Sequence, residues 1–132
     1  MLYITGWKIR YSYTCASWQL LTNFIPRSYM IANTPKPPYY AVIFTSIRTD
    51  VADGYNNMAD EMLELAAQQE GFLGVESARN EVGITVSYWQ NLASIKKWKE
   101  NSRHLLAQKY GREKWYETYK VRICIIEYDY EL

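Results

Sequence analysis

The chain has 132 residues, with 15 lysines and arginines against 14 aspartates and glutamates, so its formal net charge is +1. This length predicts one domain with one core, and the near-neutral charge offers no long-range attraction for nucleic acid or an anionic membrane. No apolar run approaches the roughly 20 residues that span a bilayer. Cys15 and Cys124 show neither metal spacing nor a disulfide framework, which favours a cytoplasmic location.

The first part of the chain is interpreted as lying outside the main domain. Residues 7–14 alternate between apolar and polar side chains, as in a half-buried strand, and a later segment with three prolines must be extended. We predict an N-terminal extension over 1–29, a proline-rich linker over 30–38 and the folded domain over 39–132. A chain beginning at Met30 should then fold as stably as the whole chain. The alternative is that residues 7–14 form an additional edge strand.

The domain is predicted to begin with a strand and a helix. The strand covers residues 39–47 and has apolar residues at both parities, so both of its faces should be covered. Asp50 or Asp53 offers an N-cap for the helix, which should end near Glu70 with Gly71 in a left-handed conformation. Its apolar stripe consists of Tyr55, Met58, Met62, Leu65 and Ala66.

The second half is predicted to be a hairpin, a long helix and a last strand. The hairpin strands are residues 72–79 and 84–89, joined by a turn. Asn91 can cap a helix that runs to Tyr110, after which the glycine at 111 should bend it and add one more turn. The last strand, residues 119–130, has apolar side chains on both faces, so both faces should be buried.

The order of elements, β-α-β-β-α-β, predicts an α+β ferredoxin-like fold with a four-stranded antiparallel sheet. Both helices should lie on one face of the sheet. The first and last strands nevertheless carry apolar residues on both faces. A second copy packed sheet to sheet would bury the remaining face, so we expect a homodimer.

Particular residues in these elements resemble a known family. They are Tyr40–Phe44, Gly71–Arg79, Ile84–Trp89, Trp98, His104, Gln108, Gly111, Arg112, Trp115 and Tyr116. Together they resemble the antibiotic biosynthesis monooxygenase domain, a member of the dimeric α/β-barrel superfamily. The resemblance covers residues 39–130 and leaves the first 29 residues outside.

This resemblance implies a homodimer whose two sheets form a barrel, with a pocket in each subunit between the helices and the sheet. Some members oxidise polycyclic aromatic phenols to quinones with molecular oxygen and without metal or flavin, because the substrate itself supplies the electrons. Other members degrade heme. The shared fold alone therefore does not decide the reaction.

Heme degradation is the least favoured of these activities. The heme-degrading members carry an asparagine in the first strand, a tryptophan in the second helix and a histidine iron ligand further along that helix. Trp98 matches the tryptophan, but Gln108 stands at the histidine position and residues 42–45 include no asparagine. Glutamine is a poor iron ligand.

His104 is the only histidine, and an imidazole pKa near 6.5 suits it to deprotonate a phenol at neutral pH. The alternative is a structural histidine on the helix surface. His104, Gln108 and either Gly111 or Arg112 are spaced so that they share one face if the helix is continuous. Arg112 could pair with a carboxylate or an enolate-like oxygen, or else with Glu113 or Glu117.

The aromatic residues complete the predicted site. Trp98 and Trp115 could stack on a planar ligand, although tryptophans on an apolar stripe also serve as core. Tyr88 and Trp89 alternate along their strand, so only one of them can face the helices, and Tyr88 could supply a hydroxyl. The predicted catalytic residues are His104 and Arg112, and the predicted substrate-binding residues are Trp98, Tyr88, Gln108 and Trp115. No metal or cofactor is expected.

Two functions of different classes are compatible with this pattern. The first is a cofactor-independent monooxygenase acting on a small aromatic or quinol-type compound. The second is a non-catalytic member of the same fold that binds a small hydrophobic or aromatic ligand or serves in assembly. A cavity of roughly 300 Å³ or more with converging polar groups would favour a ligand site.

Overall fold

The computed structural model describes residues 30–132, so the predictions made for residues 1–29 lie outside the described part. The elements are β1 Tyr39–Arg48, α1 Tyr55–Ala67, β2 Phe72–Arg79, β3 Val82–Trp89, α2 Leu92–Lys99, α3 Ser102–Tyr110, a π-helical turn Gly111–Trp115 and β4 Tyr116–Ile126. The first and last of these elements are strands, as the sequence predicts.

The four strands form one sheet in the order β2-β3-β1-β4, and all neighbouring pairs are antiparallel. The two inner strands are β1 and β3, while β2 and β4 form the edges. This order places each helix-containing connection between two parallel, non-adjacent strands, which is the ferredoxin-like topology. The predicted α+β fold is confirmed.

The strand register assigns side chains to the two faces of the sheet, because directly opposed residues point to the same side. Trp89 pairs with Tyr40 and lies on the helix side, where it is fully buried. Ala41 pairs with both Tyr88 and Cys124 on the opposite side. The helix side carries the main aromatic core.

The helical region differs from the predicted single helix. It is divided into α2 and α3, because the backbone of Asn101 is extended in ψ and its side chain accepts hydrogen bonds from the main-chain N–H groups of Arg103 and His104. Asparagine is a strong N-cap residue, so it begins a new helix. The π-helical turn at Gly111–Trp115 provides the predicted extra turn.

The ends of α1 confirm one prediction and correct another. Gly71 has a φ of 81° and follows the helix in the left-handed conformation, as predicted. The residue at the N-cap, however, is Gly54 and not Asp50 or Asp53, and no side chain caps the helix there. Its φ of 72° suits glycine, since a left-handed backbone costs other residues about 1–2 kcal/mol.

The prediction that both faces of the last strand are buried is wrong for the single chain. Val121, Ile123 and Ile125 on β4 are 48%, 52% and 47% exposed. They lie at the edge of the sheet, where the helices do not cover them. On the opposite face Val82 and Ile84 are also exposed.

Residues 30–38, predicted as a linker, lie against the sheet face opposite to the helices. The main-chain N–H of Ala32 donates to the Glu76 carboxylate at 2.9 Å, and the Thr34 hydroxyl donates to the Tyr39 hydroxyl at 3.0 Å. The Tyr39 hydroxyl in turn donates to Asp129 at 2.8 Å. This segment and the C-terminal tail therefore cover part of that face.

Candidate functional site

The junction of α2 and α3 brings an imidazole onto an indole. The ring centroids of Trp98 and His104 are 4.4 Å apart, and the ring planes differ by 10°. Nδ1 of His104 lies 2.8 Å from the main-chain carbonyl oxygen of Trp98. The cap at Asn101 makes this contact possible, because it turns the chain so that the first turn of α3 folds back on the end of α2.

The contact with the Trp98 carbonyl fixes the tautomer of the neutral His104 ring. A carbonyl oxygen only accepts hydrogen bonds, so Nδ1 carries the hydrogen and Nε2 keeps its lone pair in the neutral ring. Burial of the imidazole lowers the pKa of His104, and the carbonyl contact opposes this change. The neutral ring is thus favoured at pH 7, with Nε2 as the proton acceptor.

The stack continues into the core of the protein. Trp98 lies 6.4 Å from Trp89 with ring planes 26° apart, and Trp89 makes an edge contact with Phe72. The indole N–H of Trp89 donates to the Ser87 hydroxyl at 2.9 Å. Trp98 is half-buried, with Trp89 on its core side and His104 stacked on its ring.

An ion pair holds α3 against α1. The guanidinium of Arg103 donates from Nε and Nη2 to the two carboxylate oxygens of Glu61, both at 2.6 Å. The Arg103 contact lowers the pKa of the Glu61 carboxyl. Bidentate geometry restricts both partners, and it fixes the helix on which the neighbouring His104 stands.

Gln108 and Arg112, the predicted site residues that follow His104, have different surroundings. The Gln108 side chain donates to the main-chain carbonyl of Lys99 at 3.0 Å and so ties α3 to the end of α2. Arg112 lies exposed in the π-helical turn. The spacing of His104, Gln108 and Arg112 therefore does not give one continuous helical face, because the helix geometry changes at Gly111.

Trp115 and Tyr88 lie away from the imidazole. Trp115 is 3% exposed, and its indole N–H donates to the Asp53 carbonyl at 3.0 Å, which is a core role. The Tyr88 hydroxyl donates to Glu76 at 3.0 Å on the face opposite to the helices. Burial is the larger cause and the Glu76 carboxylate the smaller one, and together they raise the pKa of Tyr88 to about 12. The structure thus brings Trp98 and His104 together but separates them from Tyr88.

An open cleft of about 360 Å³ lies at the other end of the sheet. It is lined by Thr45, Ser46, Ile47, Val82, Thr118, Tyr119 and Lys120. The six predicted site residues are not among these. The cleft is on the face opposite to the helices, since Ile47 pairs with Val82 and Thr118 in the register.

Sequence reasoning missed Trp89, which supports the indole of Trp98 from below. Alternation along β3 showed that either Tyr88 or Trp89 faces the helices, and the structure selects Trp89. The greater apolar area of Trp89 is a signal beyond alternation that could have identified it, because the larger aromatic side chain gains more from full burial.

Residues 30–132 meet the requirements neither of a metal site nor of a membrane-spanning helix. No group of three histidine, cysteine, aspartate or glutamate side chains there is placed to hold a metal ion. Within the same range, no helix is long and apolar enough to cross a bilayer.

Comparison with known families and curated proteins identifies close relatives. The family described as antibiotic biosynthesis monooxygenase matches residues 38–110. YqjZ, an uncharacterized protein of Bacillus subtilis, is 46% identical over 99 residues, which cover 74% of this chain and 87% of that protein.

Solved structures with the same fold are more distant in sequence. A Pseudomonas aeruginosa protein has a TM-score of 0.58 at 12% identity and covers 73% of this chain and 99% of its own. SnoaB, a cofactor-independent oxygenase from Streptomyces nogalater, has a TM-score of 0.57 at 9% identity and covers 73% of this chain and 98% of its own. At these identities the similarity shows a shared fold alone.

Proposed function

This chain belongs to the antibiotic biosynthesis monooxygenase family, and we propose that it oxidises a small aromatic phenol or quinol-type compound with molecular oxygen, without metal or flavin. SnoaB, which shares the fold, is described as a cofactor-independent oxygenase, and this supports the class of reaction. The proposal rests on one observation in this chain, the imidazole of His104 stacked on Trp98 with Nδ1 held by the Trp98 carbonyl.

His104 is proposed as the general base. Its Nε2 lone pair accepts the phenolic proton, while Nδ1–H remains bound to the Trp98 carbonyl and stabilises the imidazolium that forms. The exposed part of the Trp98 indole, beside the imidazole, is the proposed contact for an aromatic ring of the substrate. Arg112 and Gln108, further along the same part of the chain, remain proposed contacts to a polar group of the substrate.

The deprotonated phenol is electron-rich and can reduce oxygen directly. For a phenol with a para C–H, one oxygen atom enters the ring and the other leaves as water with two hydrogens from the substrate. One molecule each of phenol and O₂ therefore gives one quinone and one water. The protein supplies deprotonation and orientation, and the substrate supplies all the electrons.

Oxygen consumption by purified protein tests this function. The protein is treated with a chelator and mixed with a panel of phenols and naphthols, and oxygen uptake and quinone absorbance are recorded together. We expect one O₂ consumed per quinone and a loss of about 100-fold in rate for His104→Ala. Lys109→Ala, an exposed change on α3, is the matched control. Equal rates for His104→Ala and the unchanged protein would reject the proposed role of His104.

A non-catalytic role is the second candidate, and the separation of the predicted residues favours it. Trp115 is in the core, Tyr88 is on the other face of the sheet, and Arg112 is exposed. A protein of this kind would bind an apolar ring at Trp98 without turnover. Naphthol quenching of tryptophan fluorescence with no oxygen uptake, and loss of quenching in Trp98→Leu, would support this candidate.

We also propose a homodimer through the sheet face opposite to the helices. Val82 and Ile84 are 48% and 45% exposed there, and Ile47 next to them is 39% exposed. Burial of such a patch against a second copy would remove apolar surface from water at about 25 cal/mol per Å². A cytoplasmic location is proposed from the two cysteines, which lack a disulfide pattern.

A further inference from the structure

Two arginines occupy the end of the sheet at which the parallel strands β1 and β2 finish. Arg48 ends β1 and Arg79 ends β2, and the first residues of β3 lie between them. Parallel strands end at the same edge of a sheet, so the two cationic side chains are brought to one edge.

Arg79 reaches across β3 to β1. Its Nη2–H donates to the Ser46 hydroxyl at 2.6 Å, and its Nη1–H approaches the Ser46 carbonyl at 3.4 Å. The path crosses Gly83, where an added Cβ would overlap with the guanidinium. The absence of a side chain at Gly83 is therefore what allows Arg79 to lie over β3.

Arg48 lies two residues after Ser46, so both side chains point to the same face, with backbones roughly 7 Å apart. The Arg48 guanidinium is 3.4 Å from the centre of the Tyr55 ring, and its Nη2–H donates to the Val51 carbonyl at 3.0 Å. Its Nε is buried without a hydrogen-bond partner among the described residues. A buried donor without a partner is costly.

Among residues 30–132, no carboxylate forms an ion pair with either arginine. Four ion pairs occur among residues 30–132, formed by Lys96, Lys97, Arg103 and Lys109, and none includes Arg48 or Arg79. Two nearby guanidinium groups without a carboxylate leave a local excess of positive charge.

Aromatic rings with hydroxyl groups border the two cations. The Tyr116 hydroxyl donates to the Tyr55 hydroxyl at 3.5 Å, which leaves the Tyr55 hydrogen free to donate elsewhere. Phe44 packs on Tyr116 and Tyr119 with ring centroids 5.3 and 5.4 Å away. Burial raises the pKa of Tyr116, so its hydroxyl remains a hydrogen-bond donor at neutral pH, and both arginines oppose this rise.

We propose that Arg48 and Arg79, with the hydroxyl of Tyr55 and the surrounding aromatic rings, form a binding site for a small aromatic carboxylate. The planar guanidinium groups match a carboxylate in shape and charge, and the tyrosine and phenylalanine rings receive the aromatic part. This site lies at the opposite end of the sheet from Trp89 and does not depend on the oxygenase reaction.

Titration with benzoate, followed in ¹H–¹⁵N spectra that include the arginine Nε–H signals, tests the proposal. We expect saturable shifts at Arg48 and Arg79 with a dissociation constant of about 1 mM or lower. Benzamide, which lacks the charge, and inorganic phosphate, which lacks the ring, should each bind at least about tenfold more weakly. Equal binding of benzamide or phosphate, or no saturation by about 10 mM benzoate, would overturn the proposal.

Substitutions then locate the site. Arg79→Gln should weaken benzoate binding about tenfold, and Gly83→Ala should do the same by displacing Arg79 while both charges remain. Arg122→Gln, an exposed change on β4 at the other face, is the control and should leave binding unchanged. Arg79 is exposed, so its variant is expected to fold, and an unchanged spectrum outside the site verifies this. Unchanged benzoate binding in folded Arg79→Gln would contradict the assignment.

Discussion

His104 packs face to face on Trp98, and the same histidine donates its Nδ1–H to the main-chain carbonyl of that tryptophan. Two contacts between one pair of residues therefore set both the orientation and the tautomer of the imidazole. The hydrogen bond leaves Nε2 as the only basic atom of the neutral ring. The proposed reaction needs such an acceptor.

The first prediction concerns the indole of Trp98. Trp98→Leu removes the ring that shields the imidazole, so the pKa of His104 should rise towards its ordinary value near 6.5. The rate of phenol oxidation should fall at least about tenfold, because substrate packing is lost as well. Histidine NMR titration and oxygen uptake measure the two effects. Trp115→Leu is a control for loss of a tryptophan, and it should reduce stability without moving the His104 pKa.

The second prediction concerns stability against pH. The folded-state pKa of His104 is lowered, so the unfolded chain binds a proton more readily below pH 6.5 or so. The contribution of His104 to the free energy of unfolding is fully present above that pH. It is lost as the pH falls through the lowered pKa. The melting temperature should therefore decrease from pH 7.5 to 5.5. In His104→Gln the decrease should be clearly smaller, and an identical decrease would contradict the burial effect.

The third prediction compares two glycines with positive φ. Gly71→Ala adds a Cβ that overlaps with the Ser94 side chain, whereas Gly54→Ala meets only Trp115 at an ordinary 3.7 Å. Both substitutions incur the left-handed backbone cost of about 1–2 kcal/mol, and only the first adds overpacking, for a total of about 3 kcal/mol. Urea unfolding measures the difference. Equal losses would show that Ser94 moves aside at no cost.

The fourth prediction concerns the proposed dimer. Ile84→Lys places a charge in the exposed apolar patch opposite to the helices and should convert the dimer to a monomer. Leu63→Lys, at a 44% exposed position on α1, is the matched control and should leave the dimer intact. Light scattering during gel filtration gives the mass. If the protein without substitutions has the mass of a monomer, the proposed sheet-to-sheet dimer is wrong.

The fold could be predicted because each element carries a local signal. Alternation and β-branched residues mark the strands, and the three-to-four spacing around Met58 and Met62 marks α1. The break at Asn101 was not predicted, since an asparagine inside a polar run is compatible with either a helix interior or a cap. Its cap geometry resolves this ambiguity.

The candidate site was less predictable because it depends on contacts between distant residues. In the predicted continuous helix, Trp98 and His104 would point to different sides, and the break at Asn101 is what brings their rings together. Sequence could not place Tyr88 on the other face of the sheet, because alternation alone leaves two equivalent choices. The Arg79 contact with Ser46 depends on strand register, which no local pattern specifies.

The chain has a single histidine, so one NMR measurement tests the central claim directly. ¹⁵N chemical shifts of untagged protein report the tautomer and pKa of His104 without assignment ambiguity. We predict a neutral ring protonated on Nδ1, with a pKa below 6.5 or so and an Nε2 signal that responds to added naphthol. A ring protonated on Nε2, or a pKa at or above the ordinary value, would contradict the role of His104 as the base.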